Sequence, residues 1–342
     1  MINPTTLINW YSENKRELPW RNTKNPYYIW LSEIILQQTQ VNQGLPYYYK
    51  FVNQYPTVFD LANADENDVL KLWQGLGYYS RARNLHYTAK YIVDELDGKF
   101  PDNYKELIKL RGIGDYTASA IASICFNEAA PVLDGNVYRV IARYYGIETP
   151  INTGKAQKEF KEVLYEIIDK KDPAEFNQAI MEFGSKQCKP QSPDCSICPF
   201  NKGCYALSKN KIQDLPIKQK PLKVRKRYFN YLVYISENEK TIIEKRDKND
   251  IWRNLYQFPL IETEKNLSFK EMQQLIGEKQ FVKELTLYNK DIIVHKLSHQ
   301  HLNVKFWIAR VEKLNGESIF INDIKNYPVP ILIGNFLEDF NF

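Results

Sequence analysis

Residues 110–117 read Leu110-Arg111-Gly112-Ile113-Gly114-Asp115-Tyr116-Thr117, and the fold follows from what flanks them. Upstream, Tyr104, Leu107, Ile108 and Leu110 repeat at i, i+3, i+4 spacing. Downstream, Ala118, Ala120, Ile121, Ile124 and Cys125 carry a second helical stripe. Gly112-Ile113-Gly114 between them is too short for anything but a tight turn joining two helices. Two roles for it stand open. It is plain packing, or its glycines bring the backbone close to a ligand. In the second case the N–H groups and dipole of the next helix suit an anion such as phosphate.

At 342 residues the chain has room for two or three domains. Its charged fraction of 25% is that of a soluble globular protein. No stretch is apolar over the length of a membrane span, and residues 1–21 lack the apolar core of a secretory signal. A cytoplasmic, nucleoid-associated monomer is expected. The net charge is +5. Residues 1–208 hold 23 Lys and Arg against 24 Asp and Glu, and residues 228–342 hold 15 against 16. The surplus lies in 209–227, where eight basic residues meet only Asp214. That strip fits a solvated linker and fits nucleic acid equally.

Four of the five cysteines fall within 17 residues, as Cys188-x6-Cys195-x2-Cys198-x5-Cys204. In a reducing compartment such clustering reads as metal ligation. Four thiolates suit zinc and an iron–sulfur cluster equally well.

Taken in order, residues 4–22 read as a short helix and the turn Leu18-Pro19-Trp20-Arg21. A helix from Pro26 to about Gln43 carries Ile29, Trp30, Ile34 and Val41 on its apolar face. Glu33 sits on or beside that face, either as an edge residue with its head in water or as a buried acid. Further helices are expected at 43–54, 57–63, 65–74, from about 84 to 96, 155–169 and 173–185. Asp134 opens another near 136, as an N-cap or as a carboxylate fixed at a mouth. No strand is expected before 208. After the linker, Tyr228–Ile235, Thr241–Lys245, Phe281–Leu287 and Leu302–Val311 read as strands. Ser268-Phe269-Lys270-Glu271 is a capping box for a helix to about Ile276. The expected architecture is therefore an all-α N-terminal region followed by an α+β C-terminal domain.

Seven stretches, in order, resemble the MutY-type adenine DNA glycosylases of the helix-hairpin-helix superfamily, which also contains endonuclease III. They are Leu18–Arg21, Ser32–Val41, Gly75–Arg81, the hairpin, Leu133–Val137, Asn177–Ala179 and the cysteine loop. The resemblance implies a helical glycosylase region over 1–208, with a six-helix lobe at about 23–125 and a cluster lobe made of about 1–22 and 126–208. It further implies a basic linker at 209–227 and a Nudix-like domain at 228–342. It tips the cysteine ligands Cys188, Cys195, Cys198 and Cys204 to a 4Fe-4S cluster. The implied partner is double-stranded DNA carrying adenine opposite 8-oxoguanine or guanine, and Gly112 and Gly114 become contacts to its backbone.

Excising adenine breaks a bond between sugar carbon and base nitrogen. The base must be protonated, and the sugar gains oxocarbenium character. Glu33 on an apolar face has the surroundings of a general acid. Asp134 at a helix N-terminus is expected to stay ionised and to face the cation. The resemblance adds Tyr116 and Asn136 beside Asp134, Trp20 and Arg21 at the site, and Gln178 as a reader of the flipped base. It matches Gln38 and Tyr78 to positions that wedge into the duplex. Relatives of the endonuclease III type place Lys where Tyr116 stands and cut the strand by lyase chemistry. A phenol forms no imine, so a monofunctional enzyme is expected. In the C-terminal domain, Leu297-Ser298-His299 match the stretch that meets 8-oxoguanine, with Leu297 where the family has an aromatic. The rivals are an endonuclease III-like lyase, which lacks Tyr116 and the extra domain, and a zinc-stabilised DNA-binding module, which has no use for both Glu33 and Asp134.

Overall fold

Polar side chains placed just ahead of apolar runs start most of the helices in this computed structural model, which describes residues 1–219, 224–277, 282–314 and 316–340. In chain order they are α1 (Pro4–Asn14), α2 (Pro26–Leu36), α3 (Val41–Gln54), α4 (Val58–Asn63), α5 (Glu66–Leu72), α6 (Ser80–Leu96), α7 (Tyr104–Leu107), α8 (Asp115–Phe126), α9 (Gly135–Tyr145), α10 (Gly154–Ile167), α11 (Pro173–Lys186) and α12 (Tyr205–Ser208). A single 3₁₀ turn, Pro19–Arg21, lies between the first two. Asn25 caps α2 by accepting from Tyr27 N at 3.0 Å, with Pro26 at the first helical position, where its missing N–H costs nothing. Asn103, Thr153 and Asp172 cap α7, α10 and α11 in the same way.

The chain divides into two units. The first comprises Met1–Asn63 and Asn84–Lys220, the second Ala64–Arg83 and Pro221–Phe342. In the first, α8 is the central element, and every residue from Thr117 to Ile124 is buried. The helices α2 and α11 pack against it, and α9 and α1 pack on α11. The helix expected to run from Pro26 to Gln43 ends at Leu36. Gln38 takes a left-handed φ of 54° and the chain restarts as α3. Gly44 accounts for the tight return, because a Cβ there would lie 2.8 Å from Leu36 Cδ2.

The second unit is built on a sheet of strands β1 (Arg225–Ser236), β5 (Leu260–Thr263), β6 (Val282–Leu287), β7 (Ile293–Lys296) and β8 (Gln300–Val311). Its order is β5-β1-β8-β6, with β7 also on β8. The long central pair β1 and β8 runs parallel, from Arg225 opposite Gln300 to Ser236 opposite Val311. The shorter strands β2 (Lys240–Thr241), β3 (Glu244–Lys245), β4 (Tyr256–Gln257) and β9 (Ile319–Phe320) form two small ribbons, β2 with β9 and β3 with β4. Leu232, Tyr234, Trp307 and Ala309 meet Met272 and Ile276 of α13 (Phe269–Gly277). On the other face Tyr231 stacks on Phe306 at 5.3 Å, and Phe306 on Phe336 of α14 (Ile331–Asp339) at 4.2 Å. Helix-covered faces on a mixed sheet make this unit α+β. The capping box forms: Ser268 N donates to Glu271 Oε2 at 2.7 Å and Glu271 N to Ser268 Oγ at 3.3 Å. Two strand expectations need correction. β1 begins at Arg225, inside the stretch read as linker, because Arg227 is buried by ion pairs to Asp250 and Glu262. The strand expected over 241–245 is two short ones on different partners. Phe281 lies outside the described residues, as do 220–223 of the linker.

Candidate active site

Glu33 sits in the last half of α2, whose run of buried residues from Ile29 to Ile35 carries the carboxylate inside with it. It is 8% exposed. Asp134 is the N-cap of α9. Tyr116 follows the hairpin in the first turn of α8. All three line one cavity of about 460 Å³, together with Trp20, Arg21 and Asn136. Six residues that the sequence singled out, spread from position 20 to position 136, thus meet at a single opening.

The two carboxyls have different surroundings. Burial pushes Glu33 up to about 7; a hydrogen bond from Tyr116 opposes the rise, the Asp134 charge adds to it, and Arg21 opposes it. Asp134 accepts from Val137 N at 2.8 Å, Asn136 N at 3.0 Å and Asn136 Nδ2 at 2.8 Å. Burial nonetheless lifts it above the usual carboxylate range, against those donors and Arg139. The Tyr116 hydroxyl donates to Met181 Sδ at 3.2 Å, and burial with two nearby carboxyls pushes it well above the ordinary phenol range.

The remaining residues fall elsewhere. Gln178 does not line this cavity; its Oε1 accepts from Tyr11 Oη at 3.2 Å. Gln38 is exposed on the turn after α2. Gly112 and Gly114 are exposed at the hairpin, Gly112 with a φ of 80°. In the second unit, Tyr78, Leu297, Ser298 and His299 line a cavity of about 480 Å³ with Trp252 and Arg83. Tyr78 Oη and Ser298 Oγ share a hydrogen bond of 2.6 Å there.

The four clustered cysteines are free thiols, each half-buried. Among the described residues no group of three or more His, Cys, Asp or Glu is arranged to hold a metal ion. Burial raises Cys195, Cys198 and Cys204, and the neighbouring sulfurs raise them further. Backbone N–H groups of Phe200, Ala206 and Leu207 already aim at the sulfurs. Arg143 Nη1 reaches Cys188 Sγ at 3.5 Å. Thiols crowded in this way ionise together only around positive charge.

Residues 31–166 match the HhH-GPD superfamily of base excision DNA repair proteins, and residues 230–339 match a NUDIX domain. An adenine DNA glycosylase of Buchnera aphidicola subsp. Baizongia pistaciae is 36% identical over 326 residues, covering 94% of this chain and 88% of the relative. The chain belongs to the adenine DNA glycosylases. A second such glycosylase, from Buchnera aphidicola subsp. Acyrthosiphon pisum, is 33% identical over 98% of this chain and 96% of its own length. The human adenine DNA glycosylase is 41% identical over 210 residues, 59% of this chain and 38% of the relative. Among solved structures, a thermostable thymine-DNA glycosylase superposes with a TM-score of 0.56 at 28% identity, covering 60% of this chain and 95% of that one. Endonuclease III in a non-covalent complex with DNA gives 0.53 at 23% identity, over 61% of this chain and 99% of its own, and shares the fold. No helix is long and apolar enough to cross a membrane among the described residues.

Two cavity residues of this adenine DNA glycosylase family member were not apparent from the sequence. Glu182 of α11 has a fully buried side chain and bonds both Arg16 and Arg21. Burial alone would raise it, but the two guanidiniums and the Arg16 N–H hold it down at about 2. No local pattern joins positions 166 residues apart.

Proposed function

We propose that this chain excises adenine paired with 8-oxoguanine or guanine by hydrolysing the N-glycosidic bond, and leaves an abasic site. The observation that carries the reading is Glu33 and Asp134 in one cavity with unlike surroundings. At Glu33 burial outweighs the Tyr116 hydrogen bond and the Arg21 charge, so it holds a proton near neutral pH and gives it to a ring nitrogen of the flipped base. The bond between C1′ and N9 then breaks, its electron pair leaving with the protonated adenine. Asp134 has three donors favouring its anion, so of the two it is the one that carries charge and faces the sugar cation. Water adds to C1′ and gives its proton to the Glu33 carboxylate, which restores the acid. Asn136 fixes the Asp134 carboxylate, and Tyr116 bridges toward Glu33. Tyr116 offers no amine, which supports hydrolysis without strand cleavage.

The hairpin at Gly112–Gly114 would meet the DNA backbone through the exposed start of α8. The Leu297–His299 stretch, with Ser298 and His299 as hydrogen-bonding groups, would receive 8-oxoguanine. Cys188, Cys195, Cys198 and Cys204 would hold a 4Fe-4S cluster, which supplies structural cross-linking of the loop rather than a reaction step. The test is incubation with duplex containing adenine opposite 8-oxoguanine, followed by alkali. Absence of cleavage with wild-type protein sinks the reading, and an amine-linked adduct trapped by borohydride sinks its monofunctional part.

A further inference from the structure

The ion-pair cluster on the wall of the active cavity has a geometry that catalysis by Glu33 and Asp134 does not by itself require. Glu182 Oε1 accepts from Arg16 N at 3.0 Å and Arg16 Nε at 2.8 Å. Its Oε2 accepts from Arg16 Nη2 at 2.6 Å and Arg21 Nη2 at 2.8 Å. Arg21 is fixed again by Nη1 to Arg16 O at 2.8 Å and by the Tyr11 ring 5.3 Å away. One carboxylate with no solvent exposure therefore locks two guanidiniums and leaves the trio with one net positive charge. All three line the same cavity as Glu33.

We propose that Glu182 is a positioning residue: it holds Arg16 and Arg21 at the cavity wall, cancels one of their two charges, and thereby sets the pH range over which Glu33 keeps its proton. The groups facing Glu33 are Arg21 from the Pro19–Arg21 turn, Tyr116 from α8 and Asp134 from the start of α9. Cys125 of α8 feels its charge as well. Arg21 is the cation among them, and its field favours the ionised acid. Adding a second uncompensated cation beside it strengthens that field in a partly dry cavity, where charges are screened least.

This rests on the glycosylase reading, with Glu33 acting in its protonated form. Glu182→Gln leaves Arg16 and Arg21 uncompensated. Its single-turnover excision rate should begin to fall at lower pH than wild type, with about a tenfold lower rate on the alkaline limb for each pH unit of displacement. Arg16→Met leaves Arg21 balanced by Glu182, so its fall-off should move to higher pH. The double variant Arg16→Met/Glu182→Gln restores the wild-type charge and should return the limb to its wild-type position. A Glu182→Gln or Arg16→Met enzyme that is slower at every pH but falls off where wild type does would overturn the inference. If wild type excises nothing, the glycosylase reading fails instead. The titration of the Glu33 carboxyl by ¹³C NMR, assigned with Glu33→Gln, then still decides the charge effect by the same displacements.

Discussion

Asn136 Nδ2 donates to Asp134 Oδ2 at 2.8 Å, while the Asn136 and Val137 N–H groups hold Oδ1. One short segment thus occupies both oxygens of the carboxylate and aims it at the cavity. The N-cap and the proposed charge at the sugar are two duties of one side chain, and they separate on substitution. Asparagine caps a helix about as well as aspartate, but its amide nitrogen would face Asn136 Nδ2 in place of an acceptor, so Asp134→Asn should cost about 1–2 kcal/mol of stability. It removes the anion, so excision should fall by about 10²- to 10⁴-fold. Thermal melting and single-turnover excision on the same preparation check both halves. A large loss of stability alongside the lost activity would count against this division of duties.

Glu33 makes a pH prediction with a definite sign. Burial raises it from 4.5 to about 7, so the folded chain keeps a proton that the unfolded chain has lost in that interval. The associated stability is complete below the unfolded value and is lost as pH rises through 7. Glu33→Gln removes the penalty of ionising a buried acid. Relative to wild type it should gain stability between about pH 5 and 8, by roughly 3 kcal/mol at most. It should also abolish the alkaline fall in excision by abolishing excision. Urea melts of both proteins at pH 5 and pH 8 test this; equal differences at the two values would refute it.

What the sequence revealed tracks how local each feature is. The hairpin is a nearest-neighbour pattern, and Asp134 with Asn136 spans three positions. Glu33 stood out because a carboxylate rarely falls within an apolar helical run. The break after Leu36 carried no glycine or proline at the break itself, and its cause, the approach permitted by Gly44, lies in the next helix. Gln178, which the resemblance puts at the base, accepts a hydrogen bond from Tyr11 Oη. Glu182, one helical turn on, faces the cavity and is named by nothing around it. The strands β4, β5, β7 and β9, of two to four residues each, lie outside the sequence expectation, because so short a stretch carries no periodic signal.

The cysteine loop predicts a spectroscopic outcome. Cys198→Ser should lower the visible absorbance of a brown wild-type protein by at least half. With about 2 kcal/mol lost and 2–4 °C per kcal/mol, the melting temperature should drop by roughly 5 °C. Iron and sulfide analysis accompanies the spectrum. A colourless wild-type protein carrying one zinc would rule out the cluster and keep the ligands.

The hairpin prediction concerns affinity rather than chemistry. Gly112 has a φ of 80°, and a Cβ there would lie 2.6 Å from the Asn84 Cβ. Gly112→Ala therefore meets both backbone strain and a clash, together about 1–2 kcal/mol. If the turn docks the DNA backbone, affinity should fall by roughly tenfold while excision at saturating DNA stays near wild type. Filter binding at two salt concentrations and single-turnover kinetics separate the two; a loss confined to the rate would sink the docking role.

Gly184 tests whether the Asp134 site is set from outside itself. It lies on α11, where an added Cβ would sit 2.7 Å from the Asn136 Cβ and 2.8 Å from the Asn136 carbonyl oxygen. The second of these is backbone, so no rotamer change relieves it. Arg139 ties the same place down by donating to Gly184 O and to Asn136 Oδ1. Gly184→Ala must push the first turn of α9 away, and Asp134 and Asn136 move with it. Overpacking of this kind costs about 1–3 kcal/mol. A displacement near 1 Å at a reacting group can cost about 10²-fold in rate. Excision should therefore fall by about that factor in a protein that still melts cooperatively and still binds DNA. Gly277→Ala, at the end of α13 with nothing within 4 Å of its added methyl, should change neither. If Gly184→Ala loses stability yet excises at the wild-type rate, the close approach of α9 and α11 is packing alone, and the carboxylate owes its aim to its own segment.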